Sequence, residues 1–227
     1  QLAKMNDMSV AQAQKIIDHL IYIGIVEQNR DNEDRHIQYW IPKWVIGSGE
    51  YMVEHKVLCD EHPEVATMFN HAPQEPLEMT AKMIPPGGAG IGMHVIQVEK
   101  AIDVSSRSES VEHLSHWLQK YDKFCTMVCA CRKAQRIRGE GVGDIEGYMC
   151  IGVDDIAEFL VESGKDAHYI TREEAIEIIE RAERKGYVHQ ITNLDGPERI
   201  VGICNCSPGS CYGLRTSQLF NTPNLSR

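Results

Sequence analysis

Six of the eight cysteines in this 227-residue chain are grouped as Cys129-Ala-Cys131, Cys150, Cys204-Asn-Cys206 and Cys211, and no other feature constrains the fold as much. Thiols from the middle and the tail of a chain share a ligand only if the fold between them brings them together. Nothing in the sequence marks export, and the charged, broken start from Gln1 to Asp7 does not read as a signal peptide. Without export, grouped cysteines point to metal or cluster ligation before a disulfide framework, for which a C-x-C pair is poorly spaced. Cys59 and Cys125 lie outside the pattern.

The spacing leaves three chemistries open. It is neither the consecutive run of bacterial ferredoxins nor the paired C-x2-4-C knuckles of structural zinc, so an iron-sulfur cluster, a zinc ion and reduced or redox-active thiols all remain. The surroundings favour a thiolate site. Gly202, Gly209 and Gly213 flank the second cysteine group and Gly139, Gly141 and Gly143 follow the first, where small residues let the main chain approach sulfur. Arg132, Lys133, Arg136 and Arg138 form the densest basic run in an acidic chain. Cations there, Arg132 and Arg136 foremost, would offset the charge of a thiolate-ligated cluster and raise its reduction potential.

The rest of the sequence sets the frame. Twenty-three Lys and Arg against 33 Asp and Glu give a net charge of −10, which opposes non-specific binding to nucleic acid or anionic membrane. No apolar run approaches the roughly 20 residues of a membrane span, so the expectation is a cytoplasmic protein. With 42% hydrophobic residues the chain can bury a real core. Its ends, Gln1 and an irregular stretch before Arg227, suggest part of a longer polypeptide.

From Ser9 to Tyr22 the residues Val10, Ala13, Ile16, Ile17, Leu20 and Ile21 recur at helical spacing, with Ser9 as cap and Gly24 just beyond. Ile25 to Glu27 and Ile37 to Ile41 read as a hairpin with a long turn, so the order suggests a winged helix. Residues 1–45 carry five cations against six carboxylates, which favours packing over DNA reading. A helix is expected near Glu64 to Phe69. The run Gly87-Gly-Ala-Gly90-Ile-Gly92 is followed by strand-like Val95 to Val98, not by the helix a dinucleotide loop needs, and reads as a structural loop. Ser110 to Phe124 reads as a helix with Val111, Leu114, Leu118 and Tyr121 on one stripe, and His113 and His116 off it as solvated histidines. Asp154 to Val161 reads as a short helix, and Thr171 to Glu174 is a capping box opening a helix through Lys185. Ile176, Ile179 and Ala182 should form its buried face, and Glu173, Glu177, Glu180 and Glu183 its solvated one. Tyr187 to Thr192 and Arg199 to Ile203 then form a hairpin whose end delivers Cys204 and Cys206. The fold class expected is α+β: a winged-helix-like unit over 1–45, a Pro/Gly-rich connection over 46–108 and a helix and β-hairpin cysteine-rich domain over 109–227.

At Cys129-Ala-Cys-Arg-Lys133, Met149-Cys-Ile-Gly152, Tyr187 to Gly196, Ile203-Cys-Asn-Cys206, Met83 to Gly90 and Leu214 to Ser226, the sequence resembles the amino-terminal cysteine-rich region of anaerobe ferredoxin-containing FAD- and NAD(P)-dependent oxidoreductases. The resemblance implies a 4Fe-4S centre held among Cys129, Cys131, Cys150, Cys204 and Cys206, with Cys211 as a further ligand candidate. It also implies a flavoprotein or ferredoxin-type partner, with the FAD and NAD(P) sites outside this segment. The expected function is an electron-transfer portion of an oxidoreductase. Its rivals are a metal- or thiol-dependent winged-helix redox regulator and a zinc-stabilised scaffold.

Overall fold

The computed structural model describes residues 2–30, 32–42, 47–71, 93–96, 113–140, 147–192 and 199–219. It is a mixed helix and sheet fold, as expected. The glycine-rich run over 87–92 and the turn over 193–198 lie outside the described residues.

The chain opens with α1 (Leu2–Met5) and α2 (Val10–Tyr22), and Ser9 and Gln12 close the capping box that starts α2. Ala13 and Ile21 are its buried residues, while Val10 and Ile16 of the expected apolar stripe are exposed. Strands β1 (Glu27–Asn29) and β2 (Gln38–Trp40) pair antiparallel as the expected hairpin. Among the described residues, the stretch expected to be a connection holds three helices, α3 (Gly49–Glu54), α4 (Leu58–Glu61) and α5 (Glu64–His71).

A six-stranded, fully antiparallel sheet follows, in the spatial order β3 (Met93–Val95), β7 (Val188–Thr192), β8 (Gly202–Cys206), β5 (Cys150–Val153), β4 (Phe124–Met127), β6 (Ala167–Ile170). Four helices connect or follow these strands: α6 (Leu114–Lys120), α7 (Ala130–Ile137), α8 (Asp154–Glu162) and α9 (Arg172–Arg184). A last helix, α10, spans Tyr212–Leu219. The helix expected to reach Phe124 stops at Lys120, because Phe124 begins the wholly buried strand β4. Ile176 is exposed on α9, whose buried face is instead Ala175, Ile178, Ile179 and Ala182.

Alternation along the strands assigns each residue to a face. Phe124, Ile151, Val153, Ile191 and Ile203 pack with Trp117 of α6 and Ile178, Ile179 and Ala182 of α9 in one core. Cys125 and Met127 face the other side, against Phe159 and Leu160 of α8, Ile21 of α2 and Tyr51 of α3. A third cluster joins Val53, Ala66 and Phe69 to Ala130 and Ala134 of α7. The cysteines of β5 and β8 share the second face.

The hairpin is tied down by charge. Arg30 contacts Glu158 and Glu162 at 3.2 and 3.1 Å, and Arg35 contacts Asp155 and Glu158 at 3.1 and 3.2 Å, all three carboxylates on α8. Lys123 also pairs with Glu158. Buried Lys165 donates to the Ile21 and Tyr22 carbonyls at 3.1 and 2.8 Å, satisfying the last turn of α2.

Strand β8 lies so close to β5 that a Cβ at Gly202 would sit 2.6 Å from the Ile151 carbonyl oxygen. Gly202→Ala should therefore separate the two strands that carry Cys150 and Cys204, lowering stability by about 1–3 kcal/mol. Urea denaturation checks this, and an unchanged midpoint would show that the contact is not tight.

Candidate metal centre

In a strand, residues two apart face the same way, so Cys204 and Cys206 both point to one side of β8 and Asn205 to the other. The expected hairpin exists, but it carries these cysteines inside its second strand instead of beyond its end. The pairing Ile151 with Ile203 and Gly152 with Gly202, continued by one residue, sets Cys150 directly opposite Cys204. Cys129 and Cys131 arrive by another route. Cys129 is the N-cap of α7 and Cys131 lies in its first turn, while Cys211 immediately precedes α10.

The six thiols meet in a closed ring. Going round it, Cys129, Cys131, Cys211, Cys206, Cys204 and Cys150 each lie within hydrogen-bonding reach of the next, and Cys150 returns to Cys129. Proton sharing alternates around the ring. Bonds from Cys131 and Cys150 hold Cys129 well below the ordinary thiol range, and bonds from Cys131 and Cys206 do the same for Cys211. Cys150 and Cys206 bring Cys204 down to about 5. The three donors, Cys131, Cys150 and Cys206, are pushed well above the ordinary range by those same bonds.

Positive groups surround it. The Tyr212 amide donates to Cys131 Sγ at 3.3 Å, the Leu214 amide favours the Cys211 thiolate, and Gln190 Nε2 approaches Cys211 Sγ at 3.8 Å. The Arg132 amide favours the Cys129 thiolate without forming a full cap hydrogen bond. The N-termini of α7 and α10 both open at the ring, where the helix dipole favours thiolate.

Arg132 is 2% exposed. Its guanidinium stacks 4.5 Å from the Tyr187 ring centre and donates through Nη2 to the Asn205 carbonyl at 2.5 Å. Burial opposes its charge, yet the combined attraction of Cys129, Cys150, Tyr187 and Cys206 raises its pKa. Its Nε and Nη1 are buried with no hydrogen-bond partner. From α3 come two carboxyls: burial raises Glu50 to about 8 and Glu54 well above the carboxylate range, with the thiolates at Cys204 and Cys129 adding to both shifts. They stay protonated at neutral pH and spare the ring two further negative charges.

The remaining candidates divide. Lys133 is buried but points away, donating to the His55 carbonyl at 2.8 Å. Arg136 is exposed, and Arg138 pairs with Glu140 at 2.9 Å. His113 and His116 are half-buried, not solvated, and His116 meets Trp117 edge-on. Cys59 and Cys125 stand apart from the ring, and burial raises both thiols, Cys125 to about 12. Glu50, Glu54 and Asn205 were not legible as site residues. The only signal for Asn205 was its place between two cysteines.

Among the described residues, no group of three or more His, Cys, Asp or Glu side chains is arranged to hold a metal ion. The donor set fits a polynuclear core: six thiols from three segments, amide donors at several sulfurs, and a buried cation with two unsatisfied nitrogens. No known protein family matches the chain, and no characterised protein or solved structure is detectably similar to it.

Thiolate character and access decide alkylation rates. In the reduced, metal-free chain at pH 6.5, iodoacetamide should modify half-buried Cys204 first and leave Cys59 and Cys125 intact, as read by peptide mass mapping. Equal labelling of Cys125 and Cys204 would contradict the ring electrostatics.

Proposed function

We propose that this chain is an electron-transfer module in which the thiol ring supplies the ligands of one 4Fe-4S cluster that exchanges electrons with a flavoprotein or ferredoxin-type partner. The observation that carries the proposal is the meeting of three distant cysteine segments at one buried, amide-lined place. A bound cluster would supply one-electron storage. The chain's own residues do the rest: four of Cys129, Cys131, Cys150, Cys204, Cys206 and Cys211 would ligate the irons, amides at the two helix starts hold the sulfurs, and Arg132 offsets their charge from beside the ring. Arg136 is exposed and is given no part in holding the cluster. No residue of this chain is assigned to FAD or NAD(P), which belong to the partner or to another part of the same enzyme.

The N-terminal helix and hairpin resemble a winged helix in order. A DNA-reading regulator is the less favoured reading, because Arg30 and Arg35, the cations of the hairpin, are spent on Asp155, Glu158 and Glu162 of α8. No helix among the described residues is long and apolar enough to cross a membrane, and a cytoplasmic setting fits the eight free thiols. Zinc remains the alternative metal, since thiolate ligands accept both.

Anaerobic purification should yield a brown protein with about four irons and four acid-labile sulfides per chain; a colourless chain with one zinc would overturn the proposal. In the loaded protein, Arg132→Met should lower the reduction potential by tens of millivolts, because a cation beside the cluster favours the reduced, more negative state. Potentiometric titration followed by electron paramagnetic resonance reads that shift, and an unchanged potential would remove Arg132 from the site.

A further inference from the structure

Asn205 is fully buried on β8, on the sheet face opposite Cys204 and Cys206. Three of its polar groups reach three different parts of the chain. The side-chain Nδ2 donates to the Met149 carbonyl at 2.5 Å, one residue before Cys150. The main-chain oxygen accepts from Arg132 Nη2 at 2.5 Å, one residue after Cys131. The side-chain Oδ1 lies 2.6 Å from His189 Nδ1 on the neighbouring strand, and since an amide oxygen only accepts, His189 carries its proton there. His189 is itself buried, and its far nitrogen faces Glu183 of α9 at 3.8 Å.

We infer that Asn205 is the positioning residue of the thiol ring, locking the 129–132, 149–150 and 204–206 segments into one arrangement. The chemistry of the position is narrow. Met149 needs a donor and His189 an acceptor, and an amide of this length supplies both. Asp keeps the acceptor but turns an oxygen towards the Met149 carbonyl. Ala removes both bonds and leaves two buried polar groups unpaired. The inference deepens the cluster reading and rests on it only for the effect on iron loading, because the ring geometry itself exists without metal.

The test uses the full chain, reduced and metal-free. Stoichiometric diamide oxidises neighbouring thiols, and mass mapping follows the cross-segment disulfides Cys150–Cys204, Cys129–Cys150 and Cys131–Cys211. Asn205→Ala should form Cys150–Cys204 and Cys129–Cys150 about tenfold more slowly than the parent chain, the change expected for losing a buried hydrogen bond, and leave Cys131–Cys211 unchanged, because the main-chain oxygen that accepts from Arg132 remains. Asn205→Asp should also be slowed, and it serves if the alanine variant does not fold. Arg172→Met is the control: it removes two hydrogen bonds, from Arg172 Nε to the Leu118 carbonyl at 2.8 Å and from Nη2 to the Tyr121 carbonyl at 3.1 Å, between α9 and the end of α6, elements that carry no cysteine. It should keep the parent rate. Parent-like rates in both Asn205 variants, or equal slowing in Arg172→Met, would overturn the inference. A parent chain that forms these disulfides readily yet takes up no iron would sink the cluster reading and leave the role of Asn205 standing.

Discussion

The whole molecule is organised around the cost of placing six sulfurs in one largely buried ring, where hydrogen bonds from neighbouring thiols favour the thiolate form at Cys129, Cys204 and Cys211. Like charges at such separations repel strongly where water is scarce, and each thiolate loses hydration as well. The structure meets this cost locally. Neighbouring thiols hydrogen-bond one another around the ring, two helix starts direct their amides at sulfur, and Arg132 sits beside the ring with part of its hydrogen-bonding capacity unused. The sheet serves the same end, since strands β5 and β8 fix Cys150 and Cys204 across from one another.

The N-terminal elements complete that environment. Helix α3 brings Glu50 and Glu54 towards the ring as neutral acids, and α3 and α5 cover α7 with an apolar cluster. The hairpin cations neutralise the acidic end of α8, so the segment that looks most like a DNA reader is already engaged within the protein. Electrostatic economy therefore explains both the ring and the packing of the unit beside it.

Much of this was legible in the residues. Ser9 and Thr171 with Gln12 and Glu174 marked two helix starts that form as capping boxes, and the spacing of Cys204 and Cys206 matched a strand with both thiols on one face. Other parts were not. Strand β4 and helix α7 went unread, because Phe124 to Met127 continues an apolar pattern that began as helix, and Cys129 caps α7 without a Ser, Thr, Asp or Asn signal. Val10, Ile16 and Ile176 lie exposed although periodicity placed them with the core, since a helix period fixes a stripe but not how wide a neighbour covers it. The roles of Glu50 and Asn205 arise from tertiary contacts with segments about 80 and 55 residues away, which no local pattern records.

X-ray absorption at the iron and zinc edges of the anaerobically isolated chain tests most directly whether the three cysteine segments hold a common inorganic core. The account predicts a strong iron signal with sulfur as the sole first-shell neighbour and a further iron-to-iron shell. Iron bound by oxygen or nitrogen without that second shell, or zinc alone, would contradict it.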